Sequence, residues 1–251
     1  MNLIIVEPHE LDSEGRATVA GARARHLHTV LRATPGQSLR VGVLDGPLGS
    51  GVITAIAADT ATLACTFEAG VPDVPAVDLL LALPRPKVLR RLWAQVAALG
   101  VGRIMLTAAA RVERNYFDTH VIEAATYRPL LIEGLQQARD TRLPVVTVHR
   151  SFRIVVEDEL AALSGAAARL VADPSASESL PTRLIGLPPG RVLVAVGPEG
   201  GWNEFERGLL AAHGFAGVTL GARTLRSDTA VVALLALVHG ARASHPARSQ
   251  T

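Results

Sequence analysis

The pattern of apolar and polar positions changes near residue 75 of this 251-residue chain. Before that point, short apolar and alternating runs are separated by turn residues such as Pro35-Gly36 and Asp45-Gly46-Pro47, a pattern typical of β-strands. Strands are predicted at 3–6, 17–20, 38–44, 51–57 and 60–67, with one helix at 22–31. Five short strands and one helix predict a small β-barrel domain over residues 1–70.

After a proline-containing linker at 71–76, strand-like runs alternate with helical segments. The run 192–196 is apolar and β-branched throughout, as expected for a strand covered on both faces. Segment 88–99 has helical spacing, with one apolar face formed by Leu89, Leu92, Trp93, Val96 and Leu99. Other predicted strands are 77–83, 103–106, 145–148, 169–172 and 217–220, with helices at 127–138, 203–213 and up to about 238. The alternation predicts an α/β domain with a mostly parallel sheet over 77–242, followed by a frayed tail at 243–251.

Two glycine-containing loops each leave a predicted strand and enter a helix. The first is Gly197-Pro198-Glu199-Gly200-Gly201, after which Asn203 and Glu206 form a pair typical of a capping box. The second, 221–229, is dense in charged and hydroxyl side chains. In an open α/β sheet such strand ends bind small ligands. Neither loop fits a dinucleotide or P-loop fingerprint, and a glycine loop alone is often only a tight turn.

Charge is distributed unevenly along the chain. The whole chain carries a net charge of +2, whereas residues 85–114 contain seven basic residues and one acid, a local charge of +6. These basic residues form a candidate phosphate-facing patch. Residues 1–70 contain five basic and seven acidic residues, so any nucleic-acid contact there is expected to be local.

Several classes of protein are disfavoured by what the sequence contains. Cys65 is the only cysteine, so neither a disulfide framework nor a cysteine-based metal cluster is expected, and we predict no metal site. The N-terminus does not resemble a secretion signal, and no apolar run has the length of a membrane span. We therefore predict a cytoplasmic protein. The Ser/Pro-rich loop 173–189 is expected to be the most dispensable part of the second domain.

The two late loops together resemble the RsmE family of SPOUT-class RNA methyltransferases. The resemblance is carried by GPEGG at 197–201 and by LGARTLRSDTA at 220–230. It extends through HLHTVLR at 26–32, RPK at 85–87, LGVGRI at 99–104 and EGLQQ at 133–137. One departure is Ala98, where many relatives have a glutamate. The resemblance implies methylation of N3 of a uridine in 16S ribosomal RNA with S-adenosylmethionine (SAM) as donor. It also implies a trefoil-knotted α/β domain, a PUA-like N-terminal domain and a homodimer.

The same resemblance assigns residues to the cofactor and to RNA. Cofactor-binding residues are expected to be Leu83, Pro84, Gly197, Glu199, Gly200, Gly201, Leu220, Gly221, Leu225 and Thr229. RNA-binding residues are expected to be Arg32, Arg85, Lys87, Arg91 and Arg223. Arg32 could equally cap the end of its helix. The expected partner is 16S rRNA within the small ribosomal subunit.

Two devices could activate uracil N3, which is a poor nucleophile until it loses its proton. Asp228 could accept that proton or orient the base, although many relatives have glutamate at this position. Arg226 could instead stabilise the negative charge that develops on the uracil oxygens. We predict that Arg226 and Asp228 are the catalytic residues. The alternatives are a SPOUT enzyme acting on transfer RNA or another base, and a non-catalytic RNA-binding assembly factor.

Overall fold

The computed structural model describes residues 3–244 and consists of two compact units. Among the described residues, the first unit comprises 3–74 together with 131–143, and the second comprises 75–130 and 144–244. The sequence prediction placed 131–143 in the second domain, whereas in the structure this segment makes its contacts mainly with the first unit.

The first unit is a curled mixed sheet of five strands in the order β1-β3-β4-β5-β2. Its strands are β1 (Ile4–Val6), β2 (Arg16–Ala20), β3 (Ser38–Val43), β4 (Leu48–Ile56) and β5 (Thr60–Phe67). Strands β1 and β3 are parallel, and the other neighbours are antiparallel. The predicted helix is α1 (Ala22–Arg25), continued by a wider helical turn at His26–Val30. All five predicted strands are present, and their inward side chains form one apolar core.

The segment 131–143 joins the first unit because it binds the turn between β3 and β4. The Thr141 hydroxyl donates to the carbonyl oxygen of Gly46 at 2.6 Å, and the Thr141 carbonyl oxygen accepts from the Asp45 amide at 2.8 Å. The Asp45 carboxylate accepts from the Leu143 amide at 3.0 Å. Thr141 is fully buried, so these bonds satisfy polar groups that water does not reach. Contacts between residues nearly 100 positions apart are not visible in a local sequence pattern.

The second unit is a six-stranded sheet in the order β11-β9-β10-β6-β7-β8, and every neighbouring pair is parallel. The strands are β6 (Val77–Ala82), β7 (Arg103–Thr107), β8 (Val145–His149), β9 (Ala168–Ala172), β10 (Val192–Val196) and β11 (Phe215–Val218). Every residue of the central strands β6 and β10 is buried, as in a sheet covered on both faces. Strand β11 lies two residues earlier than predicted. The α/β fold class with a parallel sheet is confirmed.

The second unit contains the helices α2 (Pro86–Leu99), α3 (Ala124–Ala138), α4 (Phe152–Ile154), α5 (Leu160–Leu163), α6 (Leu180–Ile185), α7 (Glu204–Ala212) and α8 (Ser227–Ser244). Helix α3 is divided between the units, because its residues from Leu131 onward belong to the first. Helix α8 packs on β6 and β10 and against α2. It includes the first two residues of the predicted tail, and 245–251 lie outside the described residues. Helix α6 was missed in the sequence, although Ser179 caps it and a proline occupies its first turn.

One polar strand residue is buried at the amino-terminal end of β6. Asp78 is 1% exposed and forms an ion pair with Arg191 at 2.8 Å. The Ser164 hydroxyl donates to the other Asp78 oxygen at 2.7 Å. This pair lies at the opposite end of the sheet from the loops described next, and its role is structural because its charges are mutually satisfied.

Candidate functional site

A cavity of about 300 Å³ opens at the carboxyl ends of β9, β10 and β11, which are neighbours in the sheet. In a parallel sheet these ends all meet at one edge, so three consecutive loops contribute to one wall. Most of the lining comes from the loops after these strands and from one residue of the loop after β7: Arg111, Asp173 to Ser175, Gly197 to Trp202, Thr219 to Gly221 and Arg223 to Leu225. The last residues of the three strands, Arg207 of α7 and Ser227 and Ala230 of α8 complete it.

The glycine loop 197–201 is shaped by close packing on Trp202. A side-chain carbon at Gly197 would lie 3.1–3.2 Å from atoms of the Trp202 indole, so only glycine leaves this approach free of crowding. Gly201 has a φ of +72°, a left-handed conformation that glycine adopts at low cost, and its amide donates to the Pro198 carbonyl oxygen at 2.8 Å. The loop then enters α7, where Asn203 and Glu206 form the predicted capping box.

The second loop leaves β11 at Val218 and reaches α8 at Ser227. Gly221 has a φ of +110°, and its amide donates to the Thr219 hydroxyl at 3.3 Å. Leu220 and Leu225 are half-buried and line the cavity with Gly221. Gly221 therefore lies between two apolar side chains that line the cavity, Leu220 before it and Leu225 after it.

Seven of the ten residues expected to bind the cofactor line this one cavity. They are Gly197, Glu199, Gly200, Gly201, Leu220, Gly221 and Leu225. The other three, Leu83, Pro84 and Thr229, lie outside the lining. Leu83 and Pro84 are buried at the end of β6, and the next residue, Arg85, places its amide 3.4 Å from the Glu199 carboxylate. Thr229 is exposed in the first turn of α8.

The two residues expected to be catalytic lie beside the cavity rather than in its lining. Arg226 is exposed, and its carbonyl oxygen accepts from the Ala230 amide at 2.8 Å at the start of α8. Asp228 forms an ion pair with Arg91 of α2 at 3.0 Å and accepts from the Thr229 amide at 2.9 Å. Both oxygens of the Asp228 carboxylate are therefore already engaged in hydrogen bonds within the protein.

The residues expected to bind RNA fall into three settings. Arg85 and Lys87 are exposed where β6 leads into α2, and Arg91, one turn later, is paired with Asp228. Arg223 lines the cavity itself. Arg32 belongs to the first unit, where it is exposed and has a φ of +48° after the helical turn, a conformation uncommon for a residue other than glycine.

The basic stretch 85–114 does not form one continuous face. Arg103 lies at the amino-terminal end of β7, and its guanidinium donates to the Leu163 carbonyl oxygen. Arg111 lies beyond the carboxyl end of the same strand and lines the cavity. Because a strand separates its two ends, only part of the predicted patch faces the candidate site.

Two functional features were missed in the sequence. Asp173, Pro174 and Ser175 line the cavity, although the loop 173–189 was expected to be dispensable. The Asp173 carboxylate accepts from both the amide and the hydroxyl of Ser175, at 2.8 and 2.7 Å. No local sequence signal marks this role, because it depends on β9 lying next to β10 in the sheet. Arg111 was counted only as part of a basic patch, yet its guanidinium donates to the carbonyl oxygen of Gly200.

Both signs of charge face the cavity. Arg111, Arg207 and Arg223 contribute guanidinium groups, and Asp173 and Glu199 contribute carboxylates. Arg207 lies 3.8 Å from Asp173 and donates to the Trp202 carbonyl oxygen at 2.9 Å, so it links the loops after β9 and β10. A cavity with this lining suits a ligand that itself carries both charges and a flat apolar part.

Within residues 3–244, no group of three metal-binding side chains is present, and no helix is long and apolar enough to cross a membrane.

Comparison with known proteins agrees with this architecture. A family model for the RNA methyltransferase domain matches residues 72–239. Ribosomal RNA small subunit methyltransferase E of Treponema pallidum is 32% identical over 244 residues, covering 95% of this chain and 90% of that protein. The crystal structure of the methyltransferase E from Neisseria gonorrhoeae bound to SAM has a TM-score of 0.77 at 23% identity, covering 96% and 97% of the two chains. A Legionella pneumophila methyltransferase in complex with SAM has a TM-score of 0.74 at 20% identity, covering 97% and 98%.

The parallel sheet and its loop-lined cavity thus form an RNA methyltransferase domain, the class that the family model describes. Within that class, the chain belongs to the ribosomal RNA small subunit methyltransferase E family. The resemblance inferred from the sequence is confirmed. The trefoil knot stays a prediction.

Proposed function

We propose that this protein methylates N3 of a uridine in 16S rRNA, with SAM as methyl donor. The observation that carries the proposal is the cavity at the carboxyl ends of β9, β10 and β11, formed by the same two loops that carry the family motifs. The relatives named above are ribosomal RNA methyltransferases, and two similar structures contain SAM.

The cavity residues fit a molecule of this kind. The Trp202 indole lines the cavity, and its nitrogen is buried without a hydrogen-bond partner among the described residues. A side-chain carbon at Gly197 would crowd this indole at 3.1–3.2 Å. Leu220 and Leu225 would flank a flat ring, while Asp173 and Arg111 offer charges of both signs to a zwitterionic tail. When bound, SAM supplies a methyl group already activated by its sulfonium.

The residues around the acceptor base act by position and charge. We assign Arg226 to stabilise the negative charge on the uracil oxygens as the N3 proton leaves. Asp228 is assigned to orientation, because its bonds to the Arg91 guanidinium at 3.0 Å and to the Thr229 amide at 2.9 Å fix its carboxylate beside the loop. Through this pair, Asp228 also holds α2 against the start of α8. Proton loss to water then suffices, provided the guanidinium is in place.

The proposed RNA partner is 16S rRNA within the small ribosomal subunit. Arg85 and Lys87 are exposed and positioned to hold phosphates near the target, and Arg223 reaches the cavity itself. The target base must leave its stack to enter a cavity of this size. Arg32 is proposed as a separate phosphate contact within the first unit. We further propose that the protein acts as a homodimer in the cytoplasm.

The test is methyl transfer from labelled SAM to 16S rRNA and to small subunits taken from a strain that lacks the protein. Nucleosides from the product are then separated and identified. The proposal expects label in 3-methyluridine at one position, dependent on the added protein. Label in another nucleoside, or in transfer RNA only, would overturn the substrate. SAM binding that is undetectable by calorimetry would favour a non-catalytic RNA-binding protein instead.

A further inference from the structure

Glu206 is a buried carboxylate whose second oxygen is used outside its own helix. It lies in the first turn of α7 and is only 3% exposed. One oxygen accepts from the Asn203 amide at 2.8 Å, which completes the capping box. The other accepts from the Ala110 amide at 2.6 Å, in the loop after β7. Capping explains the first bond, but it does not explain the second.

The residue after Ala110 reaches back to the glycine loop. The Arg111 guanidinium donates to the Gly200 carbonyl oxygen. Its stem lies on Gly200 so closely that a side-chain carbon there would be 2.8 Å from the Arg111 Cδ. Two bonds therefore connect the same two segments, one from Glu206 to a backbone amide and one from Arg111 to a backbone carbonyl.

The two connected segments follow strands that are not neighbours. In the sheet, β6 lies between β7 and β10. The loop after β7 must therefore pass over the end of β6 to reach the glycine loop, and Arg111 lines the cavity once it has done so. A second bond is needed to hold the loop in this position, because fixing the Arg111 side chain by itself would cost considerable side-chain entropy.

We propose that Glu206 is a positioning residue for the cofactor cavity, which anchors the Ala110 amide so that Arg111 closes the wall over Gly200. The inference rests on the proposed function, since it takes SAM to be the ligand of this cavity. A carboxylate suits the task because it offers one charged oxygen to each of two amide donors. Glutamine offers one oxygen only and turns an N–H group toward the other amide.

The experiment measures SAM affinity by calorimetry for the intact chain and for Glu206→Gln. We expect SAM binding roughly tenfold weaker, equivalent to about 1.4 kcal/mol. Activity at saturating SAM should fall much less, so that the KM for SAM carries the effect. Glu204→Gln is the matched control, because Glu204 is an exposed acid in the same helical turn. It should bind SAM as the unaltered protein does.

Two further variants separate positioning from general stability. Ala110→Pro removes the amide donor and puts a ring carbon in its place, at the second position of a turn closed by the bond from the Val112 amide to the Ala109 carbonyl at 3.0 Å, where the proline backbone is tolerated. It leaves the capping box intact and should weaken SAM binding as Glu206→Gln does. In an Arg111→Gln background, Glu206→Gln should add little, since both changes break one connection.

The outcomes are distinguishable. If the unaltered protein fails to bind SAM, the proposed function fails. If it binds SAM and both Glu206→Gln and Ala110→Pro bind equally well, only the positioning role is overturned. Effects of Glu206→Gln and Arg111→Gln that multiply independently would also overturn it, because they would place the two residues on separate routes to the cavity.

Discussion

The two units of this protein use β-strands in contrasting ways. In the first unit, three of the four strand pairs are antiparallel, so successive loops alternate between the two ends of the sheet. In the second unit all five pairs are parallel, so every loop that follows a strand lies at the same edge. Residues far apart in sequence, such as Arg111 and Gly200, therefore meet there.

The difference shows which unit holds the candidate methyl-transfer site. The cavity, the charged side chains that line it and the Glu206 anchor all belong to the second unit. The first unit has a core of its own, and its polar network around Thr141 satisfies a turn. Changes in the core of the first unit should consequently affect folding without altering the cofactor cavity, whereas changes in the second unit can affect folding, the cavity or both.

The largest effect is expected from Trp93→Ala, which removes a side chain central to the second unit. Trp93 is fully buried, donates to the Val121 carbonyl oxygen at 3.1 Å and packs on Tyr127 with ring centroids 5.1 Å apart. We expect a loss of about 3–5 kcal/mol in the free energy of unfolding. Denaturant unfolding followed by fluorescence measures it, since Trp202 remains as the only tryptophan of the variant. Gln95→Ala on the exposed side of α2 is the control, and an equal loss there would refute the assignment.

Arg226→Ala should separate chemistry from binding within the second unit. If the guanidinium stabilises developing negative charge, kcat should fall by about 10²–10³-fold. SAM affinity measured by calorimetry should stay within about twofold, since Arg226 is outside the cavity lining. Arg153→Ala, an exposed arginine elsewhere in the unit, serves as control. Lost SAM binding in Arg226→Ala would mean that this residue serves the cofactor rather than the acceptor.

Gly49→Ala makes the converse test in the first unit. A side-chain carbon at this buried position of β4 would overlap the Thr66 carbonyl oxygen and come within 2.9 Å of the Phe67 Cα. Backbone atoms cannot move aside cheaply, so we expect destabilisation of about 1–3 kcal/mol or more. Circular dichroism during thermal unfolding measures it, and SAM affinity at low temperature should be unchanged. Gly70→Ala, which has open space around it, should be neutral.

The smallest effect concerns acid stability of the second unit. Burial lowers the pKa of His239 below its usual 6.5, a backbone contact with Gly100 opposes this, and nearby Arg242 adds to the lowering. In the unfolded chain His239 becomes protonated near pH 6.5, whereas in the folded protein it becomes protonated only at a lower pH. Its contribution is therefore present above pH 6.5 and is lost as pH falls through the folded pKa. His239→Gln should flatten the decline in Tm on acidification, and exposed His120→Gln should not.

Local patterns predicted most of the fold. Each strand of both sheets was expected from an apolar or alternating run, and the Asn203–Glu206 capping box was evident from its spacing. The glycine loop 197–201 was also predicted from its local sequence. In the structure, Gly197 packs closely on Trp202 and Gly201 has a left-handed backbone conformation. Such features depend on residues only a few positions apart.

Pairings between distant residues could not be predicted in this way. The bond from Ala110 to Glu206 spans 96 positions, and the one from Thr141 to Gly46 spans 95. Strand order also escaped the sequence, so the loop after β9 was read by composition as a surface segment, although Asp173 lines the cavity. Leu83 and Pro84 lie buried at the end of β6, outside the cavity lining, and their expected contact with the cofactor stays a prediction.

The most direct test is a crystal structure of this chain grown with SAM. The account predicts that the donor lies at the carboxyl ends of β9, β10 and β11, between the turns 197–201 and 220–225, with Arg111 still on Gly200. SAM bound at any other place on the chain would contradict it, as would a bound donor that leaves those two turns without contact.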